Sequence, residues 1–550
     1  MNAALKFDAV HEALLSRGFK QAATRERLTY LGDVEVGNER VAVSLDFPDL
    51  ELQHLPRVRL TMRPSWIPEV CNHVIAENTL CYAVSKLAFI DRYDAARQVL
   101  YCLDKAAEVL RDIKHGNVLG DVDQEFASYW RGQPLLIDAD ADRHVHSLNV
   151  LTLRLPGREL ALACGASSDA INKYAAYAPT ETKLSAAIVL PMERTPPADT
   201  KIWPPRTLQQ LTRWLSAAAP SSLAEWRRSL GGLNGQHVRR ALFVFQSSPT
   251  WFGFGFAFPA DATLVRFRHE KDFINAILSR SEHIEVERYT PLRIDSEYLV
   301  TRNLRDDEKA LPGKRILLVG CGTIGSHLTH ALARAGAGFG GGSIGMVDPD
   351  IFTAGNVGRH RLGLEALLLD KADALAQDLR RSLPGVDARP IVGSALDLDL
   401  KGYDLLVDAT GEEQLSDALN ARFIAGSCAP VIFVWINGNG TSVQSFTLVD
   451  RTQGCLRCWK SHGNRTDFVP SDDTALEVRM GRGCDDPYTP FSGAAPLTAS
   501  GLALQAVLDW ASGRPMPTLR AIELDYRKTH HVKPKSPVKS AVCPACRQVP

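Results

Sequence analysis

The chain has 550 residues, 45% apolar and 23% charged, the composition of soluble globular protein with length for roughly two to four domains. Lys plus Arg and Asp plus Glu stand at 63 each, so no global basic field argues for nucleic acid or an anionic membrane. The eleven cysteines are an odd count and no apolar run approaches the roughly 20 residues of a membrane span, which points to reduced thiols and a cytoplasmic location. The N-terminal segment is charged and amphipathic, unlike a signal peptide.

In chain order, helical spacing from Phe7 to Arg17 comes first. Three short strands follow in TYLGDVEVG, RVAVSLDF and LPRVRLTM, joined by turn-type residues as a meander. A proline-bearing loop, the segment SWIPEVCNHVIAENTLCYA and a long helical stretch from Asp91 to Lys114 complete residues 1–130 as one unit. This order resembles a bacterial ubiquitin-conjugating enzyme domain, whose active cysteine follows a loop carrying His and Asn. The resemblance puts Cys81 in that place, with His73 and Asn78 before it and Cys71 as the lesser candidate. There is no intact His-Pro-Asn triplet, so the group that assists Cys81 stays open. Transthiolation asks for an accessible thiolate, because the acyl group arrives already activated. The competing reading of either cysteine is packing in a core.

Residues 131–300 carry no chemistry that the sequence declares. Strand-like runs (LNVLTLRL, RRALFVFQ, WFGFGFAFP) surround the proline-rich LPMERTPPADTKIWPP, which reads as a loop or linker. Trp251, Phe252, Phe254, Phe256 and Phe258 alternate with small residues, as in a half-buried strand. A spacer between two active centres and a degenerate copy of a nucleotide fold are both open.

The nucleotide signal lies in KRILLVGCGTIGSHLTHALARAGAGFGGGSIGMVDPD, read as strand, glycine turn, helix and second strand. Gly320, Gly322 and Gly325 hold the G-x-G-x-x-G spacing that lets backbone amides approach a phosphate at a helix start. The helix is predicted over 324–335 and the second strand over 343–347, with Asp348 and Asp350 at its end as candidates for the ribose hydroxyls. Alone, this stretch fits a dehydrogenase equally well. Asn356, Arg359, His360 and Lys371 follow, and with the paired aspartates they resemble the D-x-D, N-x-x-R-Q and downstream Lys of the ThiF, MoeB and ubiquitin-activating enzyme family, His360 standing where glutamine is usual. Two cations on one triphosphate suit adenylation, because negative charge grows on the α-phosphate and the leaving pyrophosphate. The strand YDLLVD ends in Asp408, where the family carries its magnesium site; Gly411 replaces the usual second aspartate, so Asp408 is the first choice for Mg2+ and Glu412 or Glu413 the alternatives.

Cys455-x-x-Cys458 and Cys543-x-x-Cys546 suit a closed tetrahedral zinc site that is structural, with a redox pair as the competing reading. Between them Cys484 stands in a Gly- and Pro-rich loop before a helical stretch predicted over 497–510, where exposure and the helix dipole favour a thiolate. In activating enzymes a cysteine of this region takes the acyl group. Cys321 and Cys428 read as packing residues.

The whole resembles bacterial fusions of a conjugating-type to an activating-type domain, as in CBASS antiphage defence operons. The implied fold class is α/β: a Rossmann-like ThiF adenylation domain with structural zinc over 301–550, preceded by a ubiquitin-conjugating-enzyme-like α+β domain over 1–130 and a mixed linker domain over 131–300. The implied activity uses ATP and Mg2+ to adenylate a partner's C-terminal carboxylate, the acyl group passing to Cys484, then Cys81, then a target amine. The implied partner is a CD-NTase-like nucleotidyltransferase, with no membrane or nucleic acid involved, and the implied assembly is a homodimer in which Arg302 reaches the neighbouring site. A ThiF-like adenylyltransferase acting on a sulfur carrier or peptide, and a scaffold with a degenerate nucleotide fold, are the alternatives.

Overall fold

The computed structural model describes residues 3–548 except 23–27, 50–52, 68–70, 72, 84–90, 92, 118–125, 127–129, 131, 140–145, 166–173, 175–179, 197–202, 249, 261–265, 462–475, 481–486 and 526–532. The chain forms two compact units, one from Met1–Ile171 with Tyr177–Leu292, the other from Arg293–Pro550 with the short Asn172–Ala176.

The first unit opens with helix α1 (Ala3–Ser16) and strands β1 (Lys20–Gln21), β2 (Leu28–Val36), β3 (Glu39–Phe47), β4 (Arg57–Leu60), β5 (Val74–Ile75) and β6 (Thr79–Leu80). They pair in the order β1-β2-β3-β4-β6-β5. The meander is therefore present, and Gly37 at φ 64° makes the tight turn between β2 and β3. Helix α2 (Ala95–His115) lays Val99, Leu103, Ala106, Leu110 and Ile113 in a buried stripe, packed with Val10, Leu14, Val43 and Leu45. Gly116 ends it in the left-handed conformation, φ 73°.

Strands β7 (Gln133–Asp138), β8 (His146–Leu155), β9 (Arg158–Cys164), β10 (Thr180–Arg194), β11 (Arg240–Ser248), β12 (Phe252–Ala257) and β13 (Glu287–Arg293) close into a barrel. Helices α3 (Leu208–Ala218), α4 (Pro220–Gly231) and α5 (Glu270–Leu278) pack outside it. Two expectations change here. Leu190 to Arg194 continue β10 rather than begin a linker. The aromatic strand β12 is buried on both faces, not half-buried: Phe252, Phe254 and Phe256 are each 0% exposed among Trp214, Trp226 and Phe243. Its glycines face the other way, where a Cβ on Gly253 or Gly255 would already stand 3.1 or 3.0 Å from a carbonyl oxygen of β11.

The second unit begins with α6 (Ser296–Thr301), which holds Arg302 at its exposed C-cap. Then come β14 (Arg315–Val319), α7 (Thr323–Arg334), β15 (Ser343–Asp348), α8 (Lys371–Ser382), β16 (Ala388–Val392), β17 (Leu405–Asp408), α9 (Glu413–Ile424), β18 (Val431–Asn437), β19 (Ser442–Leu448) and α10 (Leu456–Ser461). A two-stranded piece, β20 (Arg479–Met480) with β21 (Pro487–Tyr488), precedes α11 (Ala494–Ala511) and β22 (Leu519–Glu523). The main sheet runs β16-β15-β14-β17-β18-β19-β22, parallel through β18 and antiparallel at β19 and β22. Strand β14 explains its apolar run: Ile316 and Leu318 enter the core with α7, α8 and α11, while Leu317 and Val319 enter the core with α9. The chain leaves β14 first to β15 and later returns to β17 on its other side, so the crevice above β14 is the topological switch point where such sheets bind ligands.

Candidate active site

Above β14 lies a cavity of about 710 Å3 whose lining includes Gly320, Gly322, Asp348, Asp350, Asn356, Arg359 and Lys371. Residues of the turn, of two strand ends and of the first position of α8 thus meet at one sheet edge. Gly320 needs its left-handed φ of 90° and lies so close to Thr410 that a Cβ would fall 2.7 Å from that residue's Cγ2. Gly322 is different, because a Cβ there would meet no protein atom within 4 Å. No protein packing demands glycine at Gly322; the open space before the N-terminus of α7 is the kind a phosphate group would use. Gly325 lies off the cavity lining, and a Cβ on it would stand 1.9 Å from the Gly320 carbonyl oxygen. Its part is helix-to-turn packing rather than ligand contact.

Asp348 lines the cavity but is 6% exposed, and its two oxygens accept from the backbone N–H of Cys321 (2.6 Å) and of Asp350 (2.9 Å). Burial raises its pKa, against those two bonds. Asp350 is the more exposed carboxylate, its Oδ2 taking Lys371 Nζ at 2.7 Å, and that ion pair holds the lysine at the cavity wall. Asn356 spends its carboxamide oxygen on Thr353 N (2.9 Å) and Oγ1 (3.0 Å), which leaves its amide hydrogens for a ligand. Arg359 stacks on the Phe491 ring at 4.9 Å, and its Nε is buried with no partner among the described residues. A buried guanidinium donor without an acceptor, beside a glycine with open space, is what a phosphate group would complete.

His360, where the family has glutamine, bridges two backbones. Its Nδ1 accepts from Leu362 N at 3.0 Å and its Nε2 donates to the Cys321 carbonyl at 2.8 Å, so the ring is neutral. Burial pulls its pKa down to about 4. Cys321 itself is fully buried and its thiol is pushed well above the ordinary range, as a packing residue should be.

Asp408, the first choice for the magnesium carboxylate, lies off the cavity. Asp408 is 1% exposed and absent from the cavity lining, and it accepts from Thr410 N (3.1 Å), Thr410 Oγ1 (2.6 Å) and Ser416 Oγ (2.6 Å). Its lone pairs hold the loop after β17 instead. Glu412 lines the cavity, whereas Glu413 faces elsewhere and pairs with Lys460 at 3.1 Å.

Cys455, Cys458, Cys543 and Cys546 converge with all four sulfurs within 4.8 Å of one another, each residue buried. The close Sγ–Sγ distances are 3.7, 3.8, 3.6 and 3.6 Å. Sulfurs about 2.3 Å from a tetrahedral zinc stand about 3.8 Å apart, so the set fits zinc and is far too wide for disulfides. Outer donors are in place: Asn420 Nδ2 lies 3.7 Å from Cys455 Sγ and Ser540 N lies 3.4 Å from Cys458 Sγ.

In the first unit Cys81 follows β6 and its N–H donates to the His73 carbonyl at 2.7 Å. Among the ten described cysteines it alone is not buried, while Cys71 is 7% exposed within the core. His73, Glu77 and Asn78 all hold left-handed backbone, at φ 63°, 57° and 56°. Such strain in a short stretch costs roughly 1–3 kcal/mol per residue and gathers where geometry is functional. Asn78 Oδ1 accepts from Arg63 Nη1 at 3.1 Å. Cys484 lies outside the described residues.

The ThiF family profile matches residues 297–545, and the profile of Prokaryotic E2 family B matches residues 4–134. The ATP-dependent ubiquitin transferase-like protein Cap2 of Pseudomonas aeruginosa is 30% identical over 495 residues, 90% of this chain and 89% of that protein. The chain belongs to this Cap2 family. It is an enzyme of ubiquitin-activating and conjugating type, with a Rossmann-like ThiF domain behind a ubiquitin-conjugating-like domain and ATP-dependent adenylation as its general activity. The Escherichia coli (strain TW11681) protein of the same description is 30% identical over 330 residues, 56% of this chain and 54% of that one. Among solved structures, E. coli MccB with ATP covers 61% of this chain and 85% of its own at 16% identity and a TM-score of 0.34, too slight a likeness to carry an argument. Among the described residues no helix is long and apolar enough to cross a membrane.

Proposed function

We propose that this enzyme adenylates the C-terminal carboxylate of a partner protein and passes the acyl group through Cys484 and Cys81 to a target amine. The observation that carries the reading is the convergence of Gly322, Asn356, Arg359 and Lys371 on one cavity, with Arg359 Nε buried and unsatisfied. ATP lies over the glycine turn with Asp350, rather than the occupied Asp348, toward the ribose. A partner carboxylate oxygen bonds to the α-phosphorus as the bond to pyrophosphate breaks, and Arg359 and Lys371 hold the charge that develops. Mg2+, on Glu412, would neutralise phosphate oxygens. The Cys484 thiolate takes the acyl carbon and AMP leaves; the Cys81 thiolate then displaces Cys484, and an amine displaces Cys81 to give an isopeptide bond and a free thiol. Cys81 is half-buried where the other described cysteines are buried, which supports its place as the last carrier.

In this reading the domains are those at 1–130, 131–300 and 301–550, and the four buried cysteines carry structural Zn2+ outside the chemistry. The partner is a CD-NTase-like nucleotidyltransferase of a CBASS antiviral system, the location is cytoplasmic, and two copies pair so that the exposed Arg302 reaches the neighbouring site. ATP–pyrophosphate exchange by the full chain tests it. Exchange should appear only with a partner bearing a free C-terminus and vanish in Arg359→Ala; exchange that ignores the partner, or never appears with it, overturns the reading.

A further inference from the structure

The barrel of the first unit carries a cavity of about 530 Å3 that the adenylation reading does not use. Strands β10 and β11 run parallel, with α3 and α4 in the crossover between them, and the cavity lies where the C-terminal ends of both strands meet the start of α4. Parallel strands gather ligands at that edge, and the volume suits a small molecule, for which roughly 300–1,000 Å3 is usual.

The start of α4 has donors to give. Pro220 opens the helix and no side chain caps it, so the N–H groups of Ser221 and Ser222 have no capping acceptor, and both residues line the cavity. Ser222 is 8% exposed, and no hydrogen bond holds its hydroxyl among the described residues. The buried hydroxyl of Ser247, by contrast, is spent on the Thr250 carbonyl.

A helix start by itself draws an anion, and here the other groups oppose one. Glu225 stands one turn on from Ser221 on the same helix face, and Glu193 lines the cavity from β10. No Lys or Arg stands in the lining among the described residues; Arg228 pairs with Glu225 from outside it. Two carboxylates without a cation repel phosphate and carboxylate ligands alike. Unused N–H donors beside carboxylate acceptors call for a group that accepts and donates at once, and a hydroxyl does both. Several hydroxyls on one ring, with the apolar surface of Trp251 in the same lining, describe a sugar.

We propose that this cavity binds a neutral sugar ring through vicinal hydroxyls. Their oxygens accept from the start of α4, including the Ser222 hydroxyl, and their hydrogens go to Glu193 and Glu225, with the C–H face of the ring on Trp251. Pyranose and ribofuranose rings share this chemistry. The site lies outside the groups assigned to adenylation and acyl transfer, so it stands or falls apart from that reading.

Saturation-transfer NMR and calorimetric titration of the full chain test it, with methyl β-D-glucopyranoside, methyl β-D-galactopyranoside and methyl β-D-ribofuranoside as probes. At least one should bind, and which of them does tells pyranose from furanose. Ser222→Val should weaken that probe about tenfold and leave pyrophosphate exchange as in the wild type. Glu193→Ala removes an exposed acceptor, should weaken it too, and serves if the Val variant fails to fold. No saturation transfer from any probe at tens of millimolar, or binding unchanged in both variants, overturns the assignment. Displacement of the sugar by inorganic phosphate or glycine as readily as by more sugar does so as well, since it makes the cavity an anion or zwitterion site.

Discussion

At Gly322 and Gly325 the same substitution should act in opposite ways. Gly322→Ala meets open space, so the protein should melt as the wild type does while the KM for ATP rises at least about tenfold, because the methyl group takes phosphate room. Gly325→Ala drives a Cβ into the Gly320 carbonyl, so it should lose roughly 1–3 kcal/mol of stability in a denaturant melt before nucleotide enters the question. His360 makes a pH prediction. The folded chain keeps its ring neutral down to about pH 4, while the unfolded ring takes a proton below the ordinary 6.5. The unfolded state then binds more protons between those values, so stability falls as pH falls from 6.5 to 4, by about 3 kcal/mol at the acid end. His360→Gln keeps one donor and one acceptor for the two backbones, so urea midpoints from pH 7 down to 4 should show a flatter loss than the wild type; an equal slope would place the acid sensitivity elsewhere, for instance at His330, whose pKa burial also pulls down to about 4.

At the scale of elements, the zinc set joins the start of α10 to the C-terminal segment beneath the sheet, with Cys455, Cys458, Cys543 and Cys546 in the same core as Leu419, Phe433 and Phe446. Metal analysis of the purified chain should find one zinc, and Cys546→Ser should lose it and lower the melting temperature, since structural zinc contributes folding free energy directly. The same substitution leaves the glycine turn and Lys371 untouched, so nucleotide binding measured below the new melting point should survive. Loss of zinc from Cys484→Ala instead would break the ligand assignment. The loop after β17 gives the matching lesson in electrostatics. Asp408→Asn keeps one acceptor oxygen but turns the other into an amide donor facing Thr410 or Ser416, so it should destabilise the loop more than it alters the magnesium dependence of exchange, whereas Glu412→Gln should raise the Mg2+ concentration needed with little change in stability.

Across the whole molecule the relay is tested by the order in which activities disappear. Cys484→Ala should retain AMP formation and lose the partner thioester; Cys81→Ala should retain that thioester and lose the conjugate on gels. A Cys81→Ala enzyme with normal conjugation removes the first unit from the chemistry. The elements that positioned these expectations were legible where the signal is local. G-x-G-x-x-G spacing, the apolar runs of β14 and β15 and the paired Cys-x-x-Cys turns each follow from neighbours in sequence, and the helix predicted over 324–335 is Thr323–Arg334. The aromatic strand in the barrel misled because alternation with glycine imitates a half-exposed face; here the glycine side is covered by side chains of neighbouring strands, Val244, Leu242 and Tyr289, which lie far away in sequence or on another strand.

The sequence by itself determined that a nucleotide turn, two cations, a four-thiolate site and a separate cysteine-bearing unit share one chain, because residue types at short spacing dictate those local geometries. Only the tertiary structure decided which groups still have something to give. Asp408 and Asp348 look equivalent to Glu412 and Asp350 in sequence, yet their lone pairs are committed to hydroxyl and backbone donors, while Arg359 Nε is buried with no partner among the described residues. Spacing reports which groups can approach; whether a donor or acceptor is already satisfied depends on contacts that form only when the sheet, its loops and its helices close around it.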